Sequence, residues 1–373
     1  MQTPNSLRGM VTSPHHLASQ AGLDVLKDGG TAIEAIVATA AALAAVYPHM
    51  TGLGGDSFWL ISYPNGQTIA IDACGRLARN ATLDLYAQAG HSVIPWRGGL
   101  AANTVAGTVS GWEAALKESA KQQPSLPLDR LLRDAIHYAS TGRVVSESEA
   151  ALLKEKQAEL CGNEAFRSFC IPDDIPWQEG EIQTSPILAA TLRSLAHHGL
   201  RSFYEGDLAK GMAADLEAAG SPLRLDDFLS HRAEVKAPLD VQTSMGTLYN
   251  MAPPTQGAAS LLILALEDRL PQCDAPESYE HLHGLIEATK QAFRYRNREI
   301  DGRSTAEDDI RALLQDPSAL DEMAARISMT EAFPWTEETQ WGDTTWMGAI
   351  DSNGVAVSMI QSLYFEFGSG VML

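Results

Sequence analysis

Apolar positions recur at helical spacing early in the chain. In HHLASQAGLDVLKDGG, Leu17, Ala21 and Val25 share one helical face, and Gly29 and Gly30 predict the stop. A second helix is expected at once over TAIEAIVATAAALAAVYP, where Thr31 and Glu34 have capping-box spacing and the alanines permit close packing. Two helices are therefore expected before the first strand. The period then changes: TGLGGD leads into FWLISY, Pro64-Asn65-Gly66 supplies a turn, and QTIAIDA returns as the partner strand.

From Gly99 to about Ser230 the helical period returns in VSGWEAALKESA, LDRLLRDAIHYAS, PILAATLRSLAHHG and GDLAKGMAADLEAAG, with Gly142, Gly199 and Gly220 at helix ends. After Leu239, DVQTSMGTLYNMAPPTQGAASLLILALED reads as strand, Pro-rich loop and apolar helix. The helix SYEHLHGLIEATKQAFRYRNREI follows, and then a polar segment from Asp301 to Gln340. Beyond it, Asp351-Ser352-Asn353-Gly354 is a hairpin signal between runs rich in β-branched and apolar residues. With no internal repeat and no low-complexity linker, the 373 residues are expected to form one intertwined α+β domain.

Composition narrows the function. Hydrophobic residues at 45% and charged residues at 20% are ordinary for a folded protein with a sizeable core. Lys plus Arg number 27 against 47 Asp plus Glu, and a formal charge of −20 repels phosphate backbones and anionic membranes, so neither is an expected partner. The longest apolar stretch, from Thr31, is too short for a bilayer and carries Glu34. Cys74, Cys161, Cys170 and Cys273 form no C-x-x-C pair and are expected to be free thiols. MQTPNSLRGMVTSPHH lacks the basic start and apolar run of a secretory signal, which points to a cytoplasmic setting.

Several chemistries can be set aside. The glycines of GLGGD precede a strand, whereas a nucleotide site needs a strand before its glycines and a helix after them. His15-His16, His197-His198, and His281 with His283 have no third-ligand spacing, so no metal and no other cofactor is expected. No G-x-S-x-G elbow occurs, and nothing points to a Ser-His-Asp set. GDTTWMG remains. Its threonines could simply open a strand; alternatively Thr344, once freed by cleavage after Asp343, would hold a hydroxyl nucleophile and an α-amine base in one residue.

A collinear series of motifs shifts the balance toward the second reading. ASQAGLDVLKDGGTAIEAIVATAAALAAVYP, GLGGDSFWLI, AANTVAGTVSGW, YNMAPPTQGAASL, TTWMGAIDSNGVAVSMIQSL and FGSG together resemble the γ-glutamyltransferase family of N-terminal-nucleophile hydrolases, from Gly9 to the last residue. The resemblance implies a four-layer αββα sandwich and a proenzyme that cuts itself before Thr344, the first Thr of the pair. Residues 1–343 then correspond to the large-subunit region, and 344–373 to the start of the small-subunit region. It further implies that the oxyanion-hole glycines lie beyond Leu373. The chain is accordingly expected to be truncated at its C-terminus and inactive alone, since losing one such donor costs on the order of 10²–10³ in turnover.

The resemblance also carries site residues. Thr344 is the implied nucleophile and, after cleavage, the base. Ser362 aligns with a family hydroxyl that supports it, although it could be a plain strand serine, and Thr345 could orient the Thr344 amine. The family's transferases bind their donor's α-carboxylate with an Arg in a D-F-R-E-x-A-P stretch; here that stretch is DACGRLA, and Cys74 takes the Arg position. Arg76, two residues on, would share the Cys74 face if the strand continued. Tyr364 replaces a transferase Asn. Cys74, Arg76 and Tyr364 are thus the expected substrate-side residues, and oxamate, a small anionic amide, is the expected substrate. The alternatives are a γ-glutamyl hydrolase or transferase acting on glutathione-like donors, and a family member that never cuts itself. Expected partners are the small amide and the chain's own small-subunit fragment, with homo- or hetero-oligomers left open.

Overall fold

A computed structural model describes residues 5–123, 125–271, 275–300, 305–335 and 344–373. The strands among these residues are β1 (Gly9–Thr12), β2 (Asp56–Ser62), β3 (Thr68–Ala73), β4 (Arg143–Val144), β5 (Ile182–Gln183), β6 (Glu234–Lys236), β7 (Leu239–Thr243), β8 (Gly246–Asn250), β9 (Thr345–Asp351) and β10 (Ala356–Ser362). Six of them make one sheet in the order β1-β9-β10-β2-β3-β6, while β4 pairs with β5 and β7 with β8. The two strands after Thr344 therefore enter the middle of the large sheet.

The described residues fall into two compact units. The larger takes residues up to 67, 71–235 and those from 344 onward; the smaller takes 68–70 and 236–335. Chain on both sides of the Asp343–Thr344 bond thus builds the larger unit.

In the larger unit, α1 (His16–Lys27) and α2 (Ala32–Val46) match the predicted helices. Thr31 Oγ1 accepts the Glu34 N–H at 3.1 Å and Thr31 N–H donates to the Glu34 carboxylate at 2.8 Å, completing the capping box. Every residue of α2 is buried, its only polar members being Glu34, bonded in the capping box, and Thr39, whose hydroxyl donates to the Ala35 carbonyl at 2.8 Å. Its neighbours are α1, the Leu128–Thr141 helix, β9 and β10. Small residues make this possible: a Cβ on Gly22 of α1 would lie 2.2 Å from Thr39 Oγ1 and 2.8 Å from the Ala35 carbonyl. Asp351, closing β9, accepts the Ala32 N–H at 2.9 Å, so the later chain caps the earlier helix.

Against the expectation of two helices before any strand, β1 comes first. It is a four-residue edge strand paired only to β9, with no clean apolar alternation to announce it. The β2–β3 and β9–β10 hairpins stand where predicted, the latter turning at Gly354 with φ 82°. Trp59, Ile61, Met347, Ala349, Val357 and Met359 form the buried face of the sheet, while Trp346 and Ile350 on the other face of β9 are about half exposed.

The smaller unit packs the β7–β8 hairpin with the helices Gly257–Glu267, Tyr279–Glu299, Ala306–Leu314 and Pro317–Ala324. Its core includes Leu239, Val241, Leu262, Leu266, Ala288, Ile310 and Leu320. The stretch read as one strand before the Pro-rich loop is thus two, split at Ser244-Met245. The described part of the polar segment forms helices anchored by Ile310, Leu314 and Leu320. Among the described residues no helix is long and apolar enough to cross a membrane.

Two buried histidines make the fold acid-sensitive. Burial first, then nearby arginines, hold His49 down at about 3 and His231 at about 4, from an ordinary 6.5. Both rings stay neutral in the folded chain while the unfolded chain takes up protons below pH 6.5, so stability falls as pH falls. Asp56, raised to about 6, works in the opposite sense and offsets one of them between about pH 6 and 4. The balance of these three groups there is a loss of about 1.4 kcal/mol per pH unit, and His15, also lowered by burial, acts in the same direction. Urea midpoints at pH 7 and pH 5 check this; equal midpoints contradict it.

Candidate active site

Thr344 stands one residue before β9, at the head of a central strand. β9 and β10 pair with Thr345 opposite Gln361, and continuing that register by one residue sets Thr344 opposite Ser362. Ser362 in turn pairs with Asp56 at the start of β2. Because alternate residues share a face and neighbouring strands lie about 4.8 Å apart, Thr344, Ser362 and Asp56 form a row across one end of the sheet. The Ser362 hydroxyl oxygen accepts the Tyr364 N–H at 2.9 Å.

Buried polar bonds hold the row in place. The Gln361 side chain accepts from Trp112 Nε1 at 3.1 Å and donates to Thr51 Oγ1 at 2.9 Å, fixing β10 from behind. Gly55 packs directly on the Ser362 backbone: an added Cβ would lie 2.0 Å from the Ser362 carbonyl oxygen. The Gly55 carbonyl then accepts the Gly107 and Thr108 N–H groups, each at 2.9 Å, at the start of the Thr108–Ser119 helix. The glycine-rich turn is therefore a packing device that joins a helix start to the end of β10.

Asp56 is the charged member. Its carboxylate accepts the Gly75 N–H at 2.8 Å and the Cys74 thiol at 3.7 Å. Burial raises it to about 6, against the lowering effect of the Gly75 and Gly107 N–H groups and the thiol, with Asp72 adding to the rise. Burial, Asp56 and Asp72 in turn push the Cys74 thiol up to about 12, so it is a neutral hydrogen-bonding group near pH 7.

The structure places the other predicted residues as follows. Strand β3 ends at Ala73, so Cys74 and Arg76 lie in the following loop and strand alternation does not relate them. Arg76 donates to Glu234 at 2.6 Å at the surface. Thr345 faces the buried side, opposite to Thr344, and its hydroxyl donates to the Gln361 carbonyl. Tyr364 is 73% exposed, with φ 77°. Asp343 lies outside the described residues, as does Cys273; Cys74, Cys161 and Cys170 are free thiols. Among the described residues no group of three or more His, Cys, Asp or Glu could hold a metal ion.

Asp56 escaped the sequence reading because GLGGD directed attention to its glycines; an acidic residue opening an otherwise apolar strand was the available signal. Arg97, which grips the loop after Ser362, had no signal in IPWRGG.

A threonine heads an interior strand with a serine opposite it on the next strand and a helix layer behind, and the solved structures this chain resembles share that N-terminal-nucleophile hydrolase fold. The solved cephalosporin acylase from Bacillus halodurans superposes with a TM-score of 0.86 at 28% identity, over 100% of this chain and 69% of that one. The profile of the gamma-glutamyltranspeptidase family matches residues 18–373, and the chain belongs to that family. It is 48% identical to the oxamate amidohydrolase proenzyme of Klebsiella pneumoniae over 99% of this chain and 69% of that protein. It is 38% identical to the glutathione hydrolase-like YwrD proenzyme of Bacillus subtilis over 97% of this chain and 68% of that protein.

Proposed function

We propose that the chain is the proenzyme part of an amide hydrolase that cuts itself between Asp343 and Thr344 and hydrolyses oxamate to oxalate and ammonia. Residues 1–343 form the large subunit and the chain from Thr344 begins the small one. The reading rests on one observation above others: Thr344 heads a central strand in register with Ser362, so cleavage delivers a new α-amine and a hydroxyl to a rigid edge. Thr344 Oγ attacks the carboxamide carbon while the Thr344 α-amine takes the hydroxyl proton. That proton passes to the departing nitrogen, ammonia leaves, and water opens the acyl-enzyme ester to give oxalate and free Thr344.

The substrate assignment draws on the relative of 48% identity, named an oxamate amidohydrolase, and on the residue at position 74. A neutral thiol bound to Asp56 supplies no positive charge for a glutamyl α-carboxylate. Arg76, the substitute anchor for a γ-glutamyl reading, is engaged with Glu234. Cys74 and Tyr364 line the substrate side in this proposal. A cytoplasmic place in purine breakdown accords with this substrate and with the free thiols among the described residues.

Ammonia release from oxamate, measured beside glutamate release from glutathione on the full-length processed protein, tests the choice. Ammonia alone is expected. Glutamate release without ammonia would replace the proposal with a γ-glutamyl hydrolase.

A further inference from the structure

The loop after Ser362 turns back on itself through unusual backbone conformations. Tyr364 has φ 77° and Phe367 φ 60°, left-handed values that residues with side chains keep only when their surroundings impose them. The Tyr364 turn brings its N–H to the Ser362 hydroxyl oxygen at 2.9 Å. A hydroxyl has one proton, and an oxygen that accepts from one side is left to orient that proton elsewhere. β10 runs between the strand headed by Thr344 and β2, whose Asp56 pairs with Ser362 from the other side.

What imposes the turn is a set of backbone anchors and one side chain. Leu363 N–H donates to the Met50 carbonyl at 3.3 Å, Phe367 N–H to the His49 carbonyl at 2.7 Å, and Gly98 N–H to the Ser369 carbonyl at 2.8 Å. Between these, a single guanidinium nitrogen of Arg97, Nη1, donates to the Glu366 carbonyl at 2.8 Å and to the Gly368 carbonyl. Its Nε donates to Glu159 at 3.2 Å, and the Phe365 ring lies 5.9 Å from its carbon centre and 4.6 Å from the Trp96 ring. The Arg97 side chain is only 14% exposed. The two N–H bonds of that planar nitrogen have fixed directions, one for each carbonyl, whereas the ammonium of a lysine sits on a flexible stem and holds such a pair less firmly.

We propose that Arg97 is a positioning residue for the Thr344 reaction. By holding the Glu366 and Gly368 carbonyls it keeps the 363–370 loop in the form in which Tyr364 N–H fixes the Ser362 hydroxyl beside Thr344. This role rests on the proposed function above, because it needs Thr344 to be the reacting group.

The test uses the full-length protein with Arg97→Ala and Arg97→Lys. For each, fragment masses, the thermal midpoint, and kcat and KM for ammonia release from oxamate are measured, with and without guanidinium ion in the medium. In both variants kcat is expected to fall about 10- to 100-fold with KM within about twofold, the pattern of a misplaced reacting group. Guanidinium should restore part of the Arg97→Ala rate and none of the Arg97→Lys rate. An unchanged kcat in processed, folded Arg97→Ala protein overturns the proposal, as does a loss without rescue that follows the unfolded fraction. A wild-type protein that releases ammonia and carries a Thr344 terminus beside a fully active variant sinks the Arg97 role alone. A wild type lacking that terminus sinks the function and the role together.

Discussion

Thr344→Ala in the full-length protein is expected to give one uncut chain and no measurable ammonia from oxamate. The two losses have one cause. Within an intact chain the Thr344 nitrogen is an amide and cannot take a proton; once freed it is an α-amine of ordinary pKa about 7.7–8.0, basic enough to receive the hydroxyl proton near neutral pH. The same hydroxyl must attack the preceding carbonyl for the cut to occur, so alanine removes both steps. The scale expected for losing a nucleophile is on the order of 10⁶ in turnover. Thr344→Ser keeps both groups and should still cut and turn over. Intact mass and ammonia release read the two effects separately, and an alanine variant that still releases ammonia refutes the assignment.

The largest stability effect is expected at Glu149. Arg143 and Glu149 are both buried, and the guanidinium donates to the Glu149 carboxylate at 2.6 Å as well as to Gln183. His49 lies beside them, its Nδ1 3.9 Å from the carboxylate, and its carbonyl holds Phe367 of the loop after Ser362. Glu149→Ala leaves a guanidinium charge in the interior without its counter-ion, for which about 3–5 kcal/mol of stability should be lost. Arg143→Met with Glu149→Leu removes both charges while filling the space, and should recover most of that loss. Urea midpoints of the three proteins check this, and a single variant as stable as wild type contradicts it.

What could be read in the sequence was what local chemistry dictates. The Thr31–Glu34 box, the glycine stops at Gly142 and Gly199 and the turn before Val355 involve neighbours in the chain, and each appears where predicted. The head-of-strand position of Thr344 was legible for the same reason: a polar stretch changes to period two at one point. Long-range features were not. β1 owes its existence to pairing with β9, more than 300 residues away, and has no amphipathic signature of its own. β3 ends at Ala73, just before the Gly75 turn packed against Val105, so Cys74 and Arg76 do not share a strand face. Asp56 and Arg97 find their hydrogen-bond partners among backbone groups of other loops. No local pattern encodes those partners.

The most direct measurement is the N-terminal sequence of the smaller fragment of the full-length protein, taken with its activity on oxamate. The account predicts a fragment beginning at Thr344 in every active preparation. Ammonia release by a protein whose Asp343–Thr344 bond is intact would contradict it.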